Sequence, residues 1–167
     1  MDVLPKRFGK YGLALHPDKT RLIDFRRPPY RGGGGGCRSG TFDLLGFTHH
    51  WARSRRGSWV VKQKTAKDRR SRTLRGIAQW FRRNLHRPVA QQHYVLSMKL
   101  RGHYAYFGVT GNVWSLWVLR RQVERIWRKW LSRRSQRGRT SWDRMARLLE
   151  RYPLPRPTRA RRYRALA

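Results

Sequence analysis

The 167 residues carry 41 Lys+Arg against 8 Asp+Glu, a formal net charge of +33, yet 38% are hydrophobic and eight are tryptophan. That length has room for one ordinary domain or two small pieces sharing a partner, and the aromatic content excludes a simple disordered basic tail. So lopsided a charge repels itself and points to a polyanionic partner, with nucleic acid ahead of an anionic membrane surface.

At the N-terminus, Met1-Asp2-Val3-Leu4-Pro5 has no signal-peptide apolar core, so a cytoplasmic location is the expectation. Leu4, Phe8, Tyr11 and Leu13 recur at roughly helical spacing, and Gly12 is a natural stop. His16-Pro17-Asp18 is a turn signal leading into Thr20–Phe25, where Leu22, Ile23 and Phe25 read as a short strand. Pro28–Gly40 is a loop containing five consecutive glycines, Gly32–Gly36. No Lys-Ser/Thr pair and no helix start follows them, so a flexible insertion fits better than a phosphate-cradling loop. The lone cysteine, Cys37, excludes an internal disulfide and argues against a cysteine-based zinc site.

Thr41–Lys64 reads as a β-hairpin. Phe42, Leu44, Leu45 and Phe47 are strand-like, Arg53–Gly57 is a basic turn, and Trp59-Val60-Val61 returns. His49-His50 invites a metal reading, but adjacent strand residues point to opposite faces and no partner stands at ligand spacing.

From Thr65 the apolar period becomes helical. Leu74, Ile77, Ala78, Phe81 and Leu85 mark one helix, which must end before Arg87-Pro88. Val89, Leu96, Leu100, Tyr104 and Phe107 mark a second, closed by Gly108. Leu116, Leu119, Val123, Trp127 and Trp130 mark a third, with Gly111-Asn112 as its expected cap. Arg120, Arg121, Arg125, Arg128 and Lys129 occupy its other face. A shorter fourth begins at Thr140-Ser141, carries Trp142, Met145, Leu148, Leu149 and Tyr152 in register, and ends at Pro153. Within Lys99–Asn112 the stripe assigns Leu100, Tyr104 and Phe107 to the core and leaves Arg101, His103 and Tyr106 to face a ligand.

The fold class that follows is α+β, a helix, strand and β-hairpin followed by an all-α helical bundle. The expected segments are 1–64, 65–152 and a basic tail at 153–167. The first buries too little apolar area to stand alone and looks like the edge of a larger sheet. The eight acids, Asp2, Asp18, Asp24, Asp43, Asp68, Glu124, Asp143 and Glu150, are scattered. Metal-dependent phosphoryl chemistry needs them clustered, so the chain alone is not expected to be an enzyme. Basic helix faces beside aromatic side chains suit phosphates and exposed bases. RNA is favoured over duplex DNA because no helix-turn-helix or finger pattern occurs.

The segments Gly12–Thr20 and Phe42–Thr48 resemble the last two palm motifs of group II intron-encoded reverse transcriptases. Lys64-Thr65-Ala66-Lys67, Lys99–Asn112, Arg133–Arg137 and Tyr152-Pro153-Leu154-Pro155 are similar to the maturase-specific thumb, or X domain, that follows the palm in that family. The resemblance covers nearly the whole chain in order. It implies a retroelement protein that assists intron splicing and copies RNA into DNA, with 1–64 a palm remnant and 65–152 the thumb.

By the same resemblance, Leu45, Gly46 and Phe47 lie in a primer-grip hairpin, and Lys19 matches a palm lysine near the incoming nucleotide's phosphates. Lys64, Lys67, Arg101, His103, Tyr106, Arg120, Arg121, Arg125, Arg128, Arg133 and Arg134 are the further candidates for contact with intron RNA and template–primer. The family's Tyr-x-Asp-Asp metal motif would stand upstream of Phe8. The expectation is therefore a C-terminal fragment that holds no cofactor itself, Mg2+ belonging to the complete polymerase. Two alternatives stand beside this. One is a split reverse transcriptase subunit active only with a separate fingers–palm chain. The other is a basic structural protein that binds nucleic acid without specificity.

Overall fold

The computed structural model describes residues 3–16, 20, 22–28, 40–134 and 139–158. Among the described residues five helices and three strands follow one another as α1 (Val3–Gly9), β1 (Phe42–Leu44), β2 (Phe47–Arg53), β3 (Trp59–Thr65), α2 (Lys67–Arg83), α3 (Val89–Phe107), α4 (Val113–Ser132) and α5 (Trp142–Arg151). The strands form one antiparallel sheet in the order β1-β2-β3, so the fold is α+β. The chain divides into two compact units, Met1–Phe42 with His50–Val61, and Asp43–His49 with Lys62–Ala167.

The expected single hairpin is a three-stranded meander. Leu45, read as strand-like, instead makes the β1–β2 turn together with Gly46, with φ of 51° and 81°. Two successive positive φ values match the twist of the flanking strands, which is why two-residue hairpin turns favour them. The second turn closes through Ser54 N–H donating to Ser58 O at 2.8 Å and Gly57 N–H to Ser54 O at 3.1 Å.

In the first unit the expected strand at Leu22–Phe25 does not form; residues 22–28 carry no ladder. Asp24 Oδ1 accepts the Arg26 backbone N–H at 3.2 Å, a local bond that competes with sheet pairing. Phe25 is held through its ring instead, edge-on to Phe42 at 4.8 Å and stacked on Trp51 at 5.5 Å. The Trp51 indole N–H donates to Phe25 O at 3.2 Å. Helix α1 buries none of its residues, and Val3, Tyr11 and Leu13 stay largely exposed.

The second unit holds the core. Ile77 and Phe81 of α2, Leu96, Leu100 and Phe107 of α3, Leu116, Leu119, Val123 and Trp127 of α4, and Met145 of α5 pack into one cluster. These are the positions the 3.6-residue period selects, and α2 shares its largest contact with α4. Leu154 joins the same cluster at 2% exposed, so the packed chain continues past Tyr152 into the segment expected to be a tail. The His93 ring lies 3.0 Å from Pro153 O, fixing that segment against α3.

Two buried amides tie the helices together. Gln92 Nε2 donates toward Leu85 O and Arg87 O at 3.2 and 3.1 Å, while its Oε1 accepts the Trp127 indole N–H at 3.0 Å. Asn112, expected as a cap for α4, makes no side-chain cap bond. Its Oδ1 accepts from Thr65 N–H at 2.8 Å, and its Nδ2 donates to Thr65 Oγ1 at 2.8 Å and Phe107 O at 2.7 Å. The α3–α4 turn is thereby bonded to the end of β3. Ser141 does cap α5, its Oγ accepting from Arg144 N–H at 3.3 Å.

Candidate nucleic-acid interface

A first cleft of about 450 Å³ is lined by Leu45, Gly46, Arg69, Arg72, Thr73, Tyr106 and Phe107. The β1–β2 turn forms one wall. Gly46 O accepts from Ala66 N–H at 2.9 Å, and the Tyr106 hydroxyl donates to Leu45 O at 2.9 Å. The turn is therefore bonded to both the start of α2 and the end of α3. A Cβ on Gly46 would meet Arg69 Cγ at 3.4 Å and the Phe107 ring at 3.5 Å, and its φ of 81° also favours glycine.

Leu45 is unusual in two respects. Its backbone is left-handed, a conformation that costs a residue with a Cβ about 1–2 kcal/mol, and its side chain is 75% exposed. An apolar side chain held outward on a strained turn gains little in folding. Tyr106, 55% exposed, stacks on Phe47 at 5.9 Å and meets Phe107 edge-on at 4.7 Å. Arg69 pairs with Asp68 at 3.7 Å in solvent, an attraction worth at most about 1 kcal/mol.

A second cleft, of about 600 Å³, lies between the end of α4 and the start of α5. Arg125, Arg128, Lys129, Ser132, Arg133, Arg139 and Trp142 line it. The Arg128 guanidinium sits 4.3 Å from the centre of the Trp142 ring and donates to Thr140 O at 3.0 Å.

The structure sorts the sequence candidates. Leu45, Gly46 and Tyr106 meet in the first cleft, and Arg125, Arg128 and Arg133 in the second. Phe47 is only 9% exposed, so it supports Tyr106 from beneath and offers little surface of its own. His103 is half-buried with its ring 4.4 Å from Phe107, and burial pulls its pKa down to about 4. It is neutral at pH 7 and adds no charge to a phosphate contact.

Arg120 is committed to Glu124 at 3.1 Å with its side chain 19% exposed. The two charges flank Tyr104, whose phenol is pushed up to about 12 chiefly by burial. Arg134 donates to His86 O and Arg87 O at 3.2 and 3.1 Å, clamping the α2–α3 loop. Lys64, Lys67, Arg101 and Arg121 are exposed and line neither cleft. Lys19 lies outside the described residues.

A scan of protein-family models, a search of curated proteins and a search of solved structures each return no match to this chain.

Arg69, Arg72, Arg139 and Trp142 line these clefts and were not among the sequence candidates. The first two stand at helical spacing on α2, but only the docked turn makes them neighbours of Leu45 and Tyr106. Trp142 fell in register with the apolar stripe of α5, yet it is 50% exposed and stacks on Arg128. Among the described residues no group of three or more His, Cys, Asp or Glu side chains is placed to hold a metal ion. Among the described residues no helix is long and apolar enough to cross a membrane.

Proposed function

We propose that this chain is an RNA-binding thumb of maturase type, of the kind its motifs resemble in group II intron-encoded reverse transcriptases, without polymerase carboxylates of its own. The carrying observation is the first cleft. A strained, outward-facing Leu45 is fixed by Tyr106 beside Arg69 and Arg72, and the interior beneath it is packed and apolar. Guanidinium groups neutralise phosphates, while the exposed leucine and tyrosine pack against sugar and base. The net charge of +33 supplies long-range attraction to any polyanion, and the built cleft gives that attraction a place to act.

Arg69→Glu with Arg72→Glu tests this in a salt-dependent binding assay with structured RNA. The double variant binds more weakly, with a shallower dependence of log K on log salt, and keeps the helicity of the parent. Unchanged affinity and slope would place the contact elsewhere. The chain by itself does not extend a primer with Mg2+ and nucleotides; extension would refute this proposal.

A second reading, a subunit that completes a reverse transcriptase with a separate fingers–palm chain, is favoured by one feature. Among the described residues, none of the first unit is fully buried, and Val3, Tyr11, Leu13 and Leu22 expose more than half their surface. Such apolar area suits a covering partner. An upstream reading frame ending in Tyr-x-Asp-Asp, whose product co-purifies with this chain, is the observation that would favour it over the first.

A further inference from the structure

We infer that the cleft between α4 and α5 takes a single unstacked nucleotide of an RNA, with its base on Trp142 and its phosphate among Arg125, Lys129, Arg133 and Arg139. This rests on the RNA-binding reading above and names what a second site on the same bundle would select.

The helical repeat brings Arg125, Arg128, Lys129 and Ser132 to one face of α4 at i, i+3, i+4 and i+7. Arg133 follows the helix, and Arg139 with Trp142 closes the cleft from the α5 side. Five of the seven lining side chains are cationic and none is acidic. Gathering like charges around a concave surface is costly unless an anion is to be held there, and four of the five carry the forked donors that suit phosphate oxygens.

The aromatic part is built as firmly. Ser132 Oγ donates to Arg128 O at 2.9 Å and accepts Thr140 N–H at 3.1 Å, fixing the approach to α5 against α4. Arg128, anchored on Thr140 O, lies over the Trp142 ring and fixes its orientation. Half of Trp142 stays in solvent. A ring oriented by a guanidinium and half exposed to solvent suits a stacking platform for a base. Bases inside a duplex are not available to such a platform, whereas unpaired, bulged or looped ones are. The cleft volume, about 600 Å³, is within the range of small-ligand cavities, roughly 300–1,000 Å³, so one nucleotide unit can be accommodated.

The test uses the full chain and two hairpin RNAs of equal length, one fully paired and one with a single bulged 2-aminopurine. The bulged RNA binds roughly tenfold more tightly, the scale of one base stacked on an aromatic side chain, and its fluorescence is quenched on binding. Trp142→Leu abolishes the preference and the quenching while affinity for the paired hairpin is retained. Trp142→Phe, which keeps a smaller ring, leaves an intermediate preference and guards against a misfolded Leu variant. Arg125→Gln with Arg133→Gln weakens both RNAs and flattens the salt dependence. Equal affinity for the two hairpins in the parent, or a preference that survives Trp142→Leu, would overturn the nucleotide cleft and leave RNA binding standing. Failure to bind either hairpin would overturn both.

Discussion

Asn112→Ala is the substitution whose cost follows most directly from the geometry. Asn112 is 0% exposed and makes three side-chain hydrogen bonds of 2.7–2.8 Å, two to Thr65 and one to Phe107 O. Truncation leaves the Thr65 N–H without its partner in surroundings that water does not reach, while Phe107 O loses one of two donors and keeps the Val109 N–H at 2.8 Å. A buried group left unpaired costs about 1–3 kcal/mol and each further lost bond about 0.5–1.5 kcal/mol, so the sum is roughly 2–4 kcal/mol, allowing for partial relaxation. Against a total stability of about 5–15 kcal/mol for a typical domain, that loss moves the unfolding midpoint far to lower denaturant.

Asn112→Asp separates hydrogen bonding from shape. One carboxylate oxygen still accepts from Thr65 N–H, and the Thr65 hydroxyl can turn to donate. The other oxygen, however, faces Phe107 O where an amide N–H stood, so Asp is also destabilising. Urea unfolding followed by circular dichroism measures both variants. A loss below about 1 kcal/mol for Ala, or an Asp variant as stable as the parent, would show that the amide does not tie the α3–α4 turn to β3.

Trp127→Ala removes a fully buried ring and leaves Gln92 Oε1 without its donor, so denaturant melts should show a loss of about 3–5 kcal/mol or more. Trp127→Phe keeps most of the bulk and forfeits chiefly the hydrogen bond, about 1–3 kcal/mol. His103 has its folded pKa lowered to about 4 by burial, against an ordinary value of 6.5. The unfolded chain therefore takes up a proton first, and stability falls as pH drops from about 6.5 to about 4; His103→Gln removes that part of the pH dependence. Leu45→Gly relieves the left-handed backbone at a position with little packing to lose. It should stabilise the fold by up to about 1 kcal/mol in thermal melts while weakening RNA binding; a variant that loses stability would show the strain to be absent.

The helices were the most legible part of the sequence, because each repeats apolar residues over several turns, as at Leu116, Leu119, Val123 and Trp127. The short elements were not. Leu22–Phe25 has strand composition, but Asp24 bonds its own neighbourhood and Phe25 is spent on an aromatic cluster. Leu45 has a strand former's side chain in a turn, where the compact hairpin outweighs local preference. Trp142 matched a stripe of core residues, yet the first turn of α5 stands beside Arg128 and not over the core.

Polar residues that organise the interior left no periodic signal. Gln92 stands outside the apolar stripe of its helix and Asn112 was expected only as a cap, and only the converging carbonyls and indole explain their burial. Among the arginines, composition gave only an excess of positive charge and did not separate Arg120 and Arg134, which serve the fold, from Arg69, Arg72 and Arg125, which line clefts. That separation needs the hairpin turn and the α4–α5 junction in place.

The most direct measurement is the affinity of the full chain for a group II intron RNA and for a shuffled RNA of the same length and composition, across a salt series. A maturase-type thumb prefers the intron RNA, and the preference persists as salt screens the shared charge attraction. Equal affinity at every salt concentration would contradict it and leave a basic protein that binds RNA by charge alone.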